Sequence, residues 1–169
     1  LIDARFSPDG ATLFADFDDG IDARVHEFPV DGGPPVATYD GFRFATRSSD
    51  GDLFALRDDD GVTEIVEIGA TERVIATGTN LDELRADDGL LAVLETGDDE
   101  EAVARVVFVD PETGALTPSS AIGGFTHLYL EGPFAYVAEA GSGIRRIGRD
   151  GGDAVTVVEP DIVRLVGAL

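Results

Sequence analysis

A chain of 169 residues with 43% hydrophobic side chains is long enough to bury a sizeable core and too apolar to be a disordered chain. It carries 34 acidic against 12 basic residues, all of the basic ones Arg, for a net charge of −22, which excludes generic nucleic-acid binding and attraction to anionic membranes. Cysteine is absent, so disulfide staples and thiolate metal sites are excluded, and no apolar run approaches the length of a membrane span.

Taken in chain order, the elements repeat. The first segment, Arg5-Phe-Ser-Pro-Asp-Gly-Ala-Thr-Leu-Phe-Ala15, reads as strand, turn, strand. Gly supplies the positive φ of a tight hairpin, and the Asp before it closes the turn with its side chain. Two further strands follow at 23–30 and 35–39, split by Asp31-Gly-Gly-Pro-Pro35. The second repeat opens at Thr46-Arg-Ser-Ser-Asp-Gly-Asp-Leu-Phe-Ala55 and continues with strands at 62–68 and 71–77. The third opens at Leu84-Arg-Ala-Asp-Asp-Gly-Leu-Leu-Ala-Val93, with strands at 102–109 and 115–122 around Asp110-Pro-Glu-Thr-Gly114. The fourth opens at His127-Leu-Tyr-Leu-Glu-Gly-Pro-Phe-Ala-Tyr-Val137, with strands at 143–148 and 153–159 around Asp150-Gly-Gly152. The turn glycines Gly10, Gly51, Gly89 and Gly132 are spaced by 41, 38 and 43.

Four short strands per repeat of about forty residues is the pattern of a β-propeller blade. The expected fold is all-β: four four-stranded antiparallel blades at about 1–40, 41–78, 79–123 and 124–160, with 161–169 as the inner first strand of a fifth. Four blades and a spare strand are expected to be part of a six- to eight-bladed ring. One stretch, 79–87, also carries helix signals, with Asn80 as a cap and Leu81 and Leu84 on one face. The repeat register reads it as an inner strand.

The residues that carry the pattern also carry a resemblance. Phe6-Ser-Pro-Asp-Gly10 with Leu13-Phe14-Ala15, and Ala135-Tyr-Val-Ala138 through Gly143-Ile-Arg-Arg-Ile147, resemble six-bladed propeller repeats of the TolB/NHL-like kind. Val109-Asp-Pro-Glu-Thr-Gly114 resembles the outer turn of YVTN/quinoprotein-like repeats. The Trp-Asp signature of another propeller class is missing, since the chain has no Trp. The resemblance implies a propeller and a periplasmic or cell-surface setting. Such families include scaffolds, ligand binders and the gating domains of serine peptidases, so the fold does not choose a function. The Lys-free, Asp-rich composition resembles that of proteins from salt-loving archaea, and a GC-rich genome also produces it.

No nucleophile elbow, metalloprotease helix motif or phosphate loop is present, and His26 and His127 are the only histidines. Two candidate sites remain. Asp16, Asp18 and Asp19, and likewise Asp58 and Asp60, place oxygens at alternating positions as calcium loops do. With Asp16 as position one, however, Gly20 falls one place early for an EF-hand, and a solvated acidic hairpin is the plainer reading. Calcium is the one cofactor considered. The second candidate is a basic residue recurring on each expected inner strand: Arg5, Arg47, Arg85, His127 and Arg164, spaced by 42, 38, 42 and 37. Lining a channel, they would attract a carboxylate or phosphate. The competing reading pairs each with an acidic neighbour and so holds adjacent blades together. The leading functional expectation is a non-catalytic binding or scaffolding propeller, recognising a protein or a small anionic ligand and completed by the remainder of its own ring. The alternative is the propeller module of a larger enzyme, a prolyl-oligopeptidase-like hydrolase or a calcium-dependent lactonase-like enzyme.

Overall fold

The computed structural model describes residues 3–18, 23–87, 89–97, 104–123, 125–139 and 143–158, and all regular structure among them is strand. Sixteen strands form four antiparallel sheets, each in simple sequential order. Sheet one holds β1 (Asp3–Phe6), β2 (Thr12–Asp18), β3 (Ala23–Pro29) and β4 (Ala37–Asp40). Sheet two holds β5 (Arg43–Arg47), β6 (Leu53–Asp59), β7 (Val62–Ile68) and β8 (Arg73–Gly78). Sheet three holds β9 (Leu81–Asp87), β10 (Leu90–Glu95), β11 (Arg105–Val109) and β12 (Leu116–Pro118). Sheet four holds β13 (Phe125–Glu131), β14 (Phe134–Glu139), β15 (Gly143–Gly148) and β16 (Val155–Val158). The expected strand at 161–169 lies outside the described residues.

The hairpins form for local reasons, and two serines do more than the Asp-Gly signal suggests. Gly10 has φ +68° and Gly51 φ +96°, as an Asp-Gly turn requires. In the first hairpin the Ser7 hydroxyl donates to Asp9 Oδ1 at 2.6 Å and accepts the Thr12 amide at 3.0 Å. In the second, Ser48 Oγ accepts the Asp52 amide at 3.1 Å. The hydroxyl and the Ala11 amide together hold the Asp9 carboxyl below its usual range. The outer turn at 110–114 works the same way: Asp110 Oδ1 accepts the Glu112 and Thr113 amides at 2.9 and 3.1 Å, and Gly114 closes it at φ +71°.

The chain divides into two compact units, Leu1–Thr79 with Ala86–Gly89, and Asn80–Arg85 with Leu90–Leu169. In the first, sheets one and two bury Phe14 and Val25 against Phe42, Ala45, Leu53, Ala55 and Val66, with Tyr39 and Ile68 at the margin. In the second, sheet three contributes Leu90, Ala92, Leu94, Val106, Phe108 and Ile122, and sheet four contributes Leu128, Leu130, Ala135, Val137 and Ile147. Gly151 sits at the margin of that second unit with φ +73°, and a Cβ there would stand 2.4 Å from the Pro118 carbonyl oxygen.

The ambiguous stretch 79–87 forms no helix, and its residues Leu81–Asp87 are strand β9. Its burial runs through Leu81, then Glu83 and Leu84 together, because Glu83 takes a left-handed φ of +46° and kinks the strand. Phe44 does the same in β5 at φ +52°, where the pairing slips between Arg43 and Thr46.

Candidate functional site

Of the basic residues singled out on the first strands, Arg5, Arg47 and Arg85 are engaged with carboxylates. Arg5 Nη2 lies 3.2 Å from Asp16 Oδ2, and both side chains are almost wholly buried. The same Asp16 oxygen accepts the Phe44 amide at 3.1 Å, so one carboxylate ties sheet one to the kink in sheet two. Arg47 Nη2 reaches both oxygens of Glu27 at 3.2 Å, and Tyr39 donates its hydroxyl to Glu27 Oε2 at 2.9 Å. Burial first, and then the bond to Glu27, push the Tyr39 phenol up to about 12. Arg guanidinium groups cover the aromatic rings of this seam: Arg5 and Arg43 over Phe44, and Arg47 over Phe14.

Arg5 and Arg47 do not occupy one register position. Arg5 stands opposite Phe14, whereas Arg47 stands opposite Leu53 and it is Thr46 that faces Phe54. The first hairpin has six residues between the paired Phe6 and Leu13; the second has five between Arg47 and Leu53. That one-residue difference reverses the face on which the following position lies. Both arginines consequently line the seam between sheets one and two, one from each side.

In the second unit Arg85 Nη2 donates to Glu83 Oε1 at 2.5 Å, and His127 Nδ1 is 4.0 Å from that oxygen. Glu83 is buried and His127 is 79% exposed at its side chain. Arg164 lies outside the described residues.

Of the acidic calcium candidates, Asp16 is committed to Arg5 and the Phe44 amide. Asp58 receives Arg43 through two nitrogens, at 3.0 and 3.1 Å, and the Thr63 hydroxyl at 2.8 Å. The Arg43 bonds, with help from Thr63, hold the Asp58 carboxyl below its usual range. Asp60 is exposed, at φ +46° in the turn that Gly61 completes. Asp19 and the side chain of Asp18 lie outside the described residues. No group of three or more His, Asp or Glu able to hold a metal ion occurs among the described residues.

A concavity that the sequence did not announce lies on sheet four. His127, Tyr129, Glu131, Tyr136, Ala138 and Ile144 line a cavity of about 340 Å³. Its walls follow from strand alternation: Leu128 and Leu130 of β13 turn into the core, so His127, Tyr129 and Glu131 face the other way. Tyr129 and Tyr136 stand directly opposite each other with ring centroids 6.5 Å apart, and Tyr129 is 60% exposed. The alternation His127-Leu-Tyr-Leu-Glu131 is the sequence signal that would have found this face. Chemically, it offers aromatic and aliphatic surface with an imidazole, two phenols and one carboxylate at its border.

No family model and no curated protein matches the chain. Solved structures do. Oligogalacturonate lyase from Vibrio parahaemolyticus is similar over 92% of this chain and 51% of its own, with a TM-score of 0.62 at 14% identity. The β-propeller domain of the Trilobed protease from Pyrococcus furiosus is similar over 93% of this chain and 56% of its own, with a TM-score of 0.63 at 13% identity. Acylaminoacyl peptidase, in a complex with a chloromethyl ketone, is similar over 88% of this chain and 30% of its own, with a TM-score of 0.63 at 10% identity. The chain therefore spans about half of the lyase and under a third of the peptidase, and at these identities the likeness is one of fold. By fold, the four sheets are blades of a β-propeller.

Proposed function

We propose that this chain is the propeller portion of a larger enzyme of the hydrolase kind, whose reacting groups belong to polypeptide beyond these four blades. The observation that carries the reading is one of proportion. The chain aligns over most of its length with acylaminoacyl peptidase and yet accounts for 30% of it, and it aligns with the propeller domain of a protease. In such an arrangement the propeller admits, orients or rejects substrate and does not react with it. The side chains are consistent with this role. Arg5, Arg47 and Arg85 are engaged with Asp16, Glu27 and Glu83 in holding strands and sheets. A net charge of −22 disfavours anionic substrates and favours neutral or cationic peptides. The Ser-Pro-Asp-Gly hairpin supports placing the repeat with the TolB/NHL-like kind, and with it an extracytoplasmic setting.

The test is covalent labelling of the full natural polypeptide that carries these residues with a fluorophosphonate probe, followed by peptide mapping. A labelled serine outside residues 1–169, together with hydrolysis of short acyl-peptide substrates, is the expected result. A full-length polypeptide that takes no label and cleaves no such substrate overturns the reading and returns the non-catalytic binding propeller.

A further inference from the structure

Asp-Gly occurs eight times in the chain. Six of the pairs lie wholly within the described residues. Covalently the pairs are alike: glycine has no side chain to hinder its backbone nitrogen from reaching the Asp carboxyl carbon one residue back. The fold treats them differently, through two hydrogen bonds. One engages the Asp carboxylate. The other engages the glycine N–H, which must be released before the nitrogen can attack.

Three pairs have both restraints. Asp9 accepts from the Ser7 hydroxyl and the Ala11 amide, and the Gly10 amide donates to the Ser7 carbonyl at 2.9 Å. Asp40 Oδ1 lies 3.4 Å from Arg24 Nε, and the Gly41 amide donates to the Ala23 carbonyl at 2.8 Å. Asp150 accepts the Gly152 amide at 3.2 Å, and the Gly151 amide donates to the Gly148 carbonyl at 3.0 Å. Asp31–Gly32 and Asp50–Gly51 keep the second restraint, since Gly32 donates to Pro29 at 3.1 Å and Gly51 to Ser48 at 3.0 Å. Asp60–Gly61 has neither among the described residues. It is the two-residue loop between the paired Asp59 and Val62, with φ +46° and +83°. A primed turn of this kind leaves the amide of its second central residue facing water. Asp60 and Gly61 are both exposed.

We propose that Asp60–Gly61 is a modification site, at which the folded chain converts spontaneously to isoaspartate. The Gly61 nitrogen attacks Asp60 Cγ and a C–N bond forms. The carboxyl hydroxyl leaves with the amide proton as water, and a five-membered succinimide remains. Water then adds back. At the side-chain carbonyl carbon it restores Asp; at the main-chain carbonyl carbon it leaves Gly61 attached through Cβ and Cγ, with the α-carboxylate free. The new linkage inserts one backbone atom into the loop that sets Asp58 opposite Thr63. Asp58 is the carboxylate that receives Arg43 and the Thr63 hydroxyl, so the change reaches β5. A free α-carboxylate on an exposed turn is also the kind of group that a carboxyl methyltransferase takes as substrate.

The test ages the full natural polypeptide that carries these residues at mildly acidic pH, once native and once in urea, and maps its peptides. Isoaspartyl peptides separate by chromatography at unchanged mass, and succinimides are lighter by one water. In the native chain Asp60–Gly61 is expected to convert about tenfold or more faster than Asp9–Gly10, Asp40–Gly41 and Asp150–Gly151, which must first give up hydrogen bonds. In urea the four pairs are expected to convert alike. A native rate at Asp60–Gly61 no faster than at the other three overturns the proposal. A lead as large in urea as in the native chain also overturns it, because flanking sequence and not the fold would then set the rate.

Discussion

The two units join their sheets by different chemistry. The seam between sheets one and two is partly ionic: Asp16 and Glu27 are buried, each is held by an arginine, and guanidinium groups lie over Phe14 and Phe44. The seam between sheets three and four holds a hydrocarbon layer of Leu, Val, Ala, Ile and Phe, with the buried Glu83, bonded to Arg85 and 4.0 Å from His127, beside it. The backbone pattern is the same in both, so the fold does not prescribe either solution. A buried ion pair offsets its desolvation only when its geometry is complete, and it contributes orientation more than stability. A hydrocarbon seam contributes stability in proportion to the area it removes from water and does not depend on the ionisation of its side chains.

The contrast is broken most directly by removing one ionic partner. Arg5→Ala leaves Asp16 buried without its guanidinium, and urea unfolding is expected to report a loss of about 3–5 kcal/mol. Leu128→Ala in the other seam is expected to cost a comparable 2–5 kcal/mol by leaving a cavity. The two are told apart by repair: Arg5→Met combined with Asp16→Leu removes the unpaired charge and is expected to recover part of the loss. It falls short of the starting chain by about 1–3 kcal/mol, the cost of leaving the Phe44 amide without its Asp16 acceptor. If the double variant is no better than Arg5→Ala, the pair is not the element that holds this seam.

Gly151 tests the hydrocarbon unit from its margin. Gly151→Ala faces both a left-handed φ of +73° and the Pro118 carbonyl oxygen at 2.4 Å. A loss of about 2 kcal/mol or more is expected in thermal unfolding. A neutral outcome would show that the two chain segments separate easily there.

The hairpin serines come next. Ser7→Ala is expected to cost about 1 kcal/mol, and Ser48→Ala somewhat less, because Ser7 also donates to Asp9. Equal losses would remove Asp9 from the account.

Tyr39 gives the smallest effect and the sharpest reading of the ionic seam. Its phenol is raised from 10.0 to about 12, so the proton is held more tightly in the folded chain than in the unfolded one. The resulting stability is fully present below pH 10 and is lost as pH rises through 12. Tyr39→Phe is expected to cost about 1 kcal/mol at neutral pH and to delete the step near pH 12 from the tyrosinate absorbance titration. Deletion of a step near pH 10 instead would mean that the Tyr39–Glu27 bond is absent in solution.

Much of the architecture is legible in the residues because turn chemistry is local. Gly10, Gly51, Gly89 and Gly132 fall at turns in the order and spacing that a four-stranded repeat requires, each with positive φ. Stretch 79–87 is a case where the repeat outweighs local helix signals: Leu81 and Leu84 share a helical face in sequence, yet they lie on a strand kinked at Glu83. The candidate site was less legible. Recurrence of Arg5 and Arg47 at a spacing of 42 is real, but a hairpin shorter by one residue sets Arg47 opposite Leu53 where Arg5 stands opposite Phe14. Phe44 and the slip between Phe125 and His127 add further shifts that no spacing rule reveals.

The sequence by itself determined the number of sheets, the order of their strands and the acidic character of the surface, since these depend on turn residues, alternation and charge, all of which act over a few residues. The tertiary structure alone decided which carboxylate each arginine meets, that buried ion pairs lie over the aromatic rings of one seam while a hydrocarbon layer dominates the other, and that sheet four presents an aromatic cavity. Those outcomes turn on single-residue register, and a shift of one residue along a strand moves a side chain from one face of a sheet to the other.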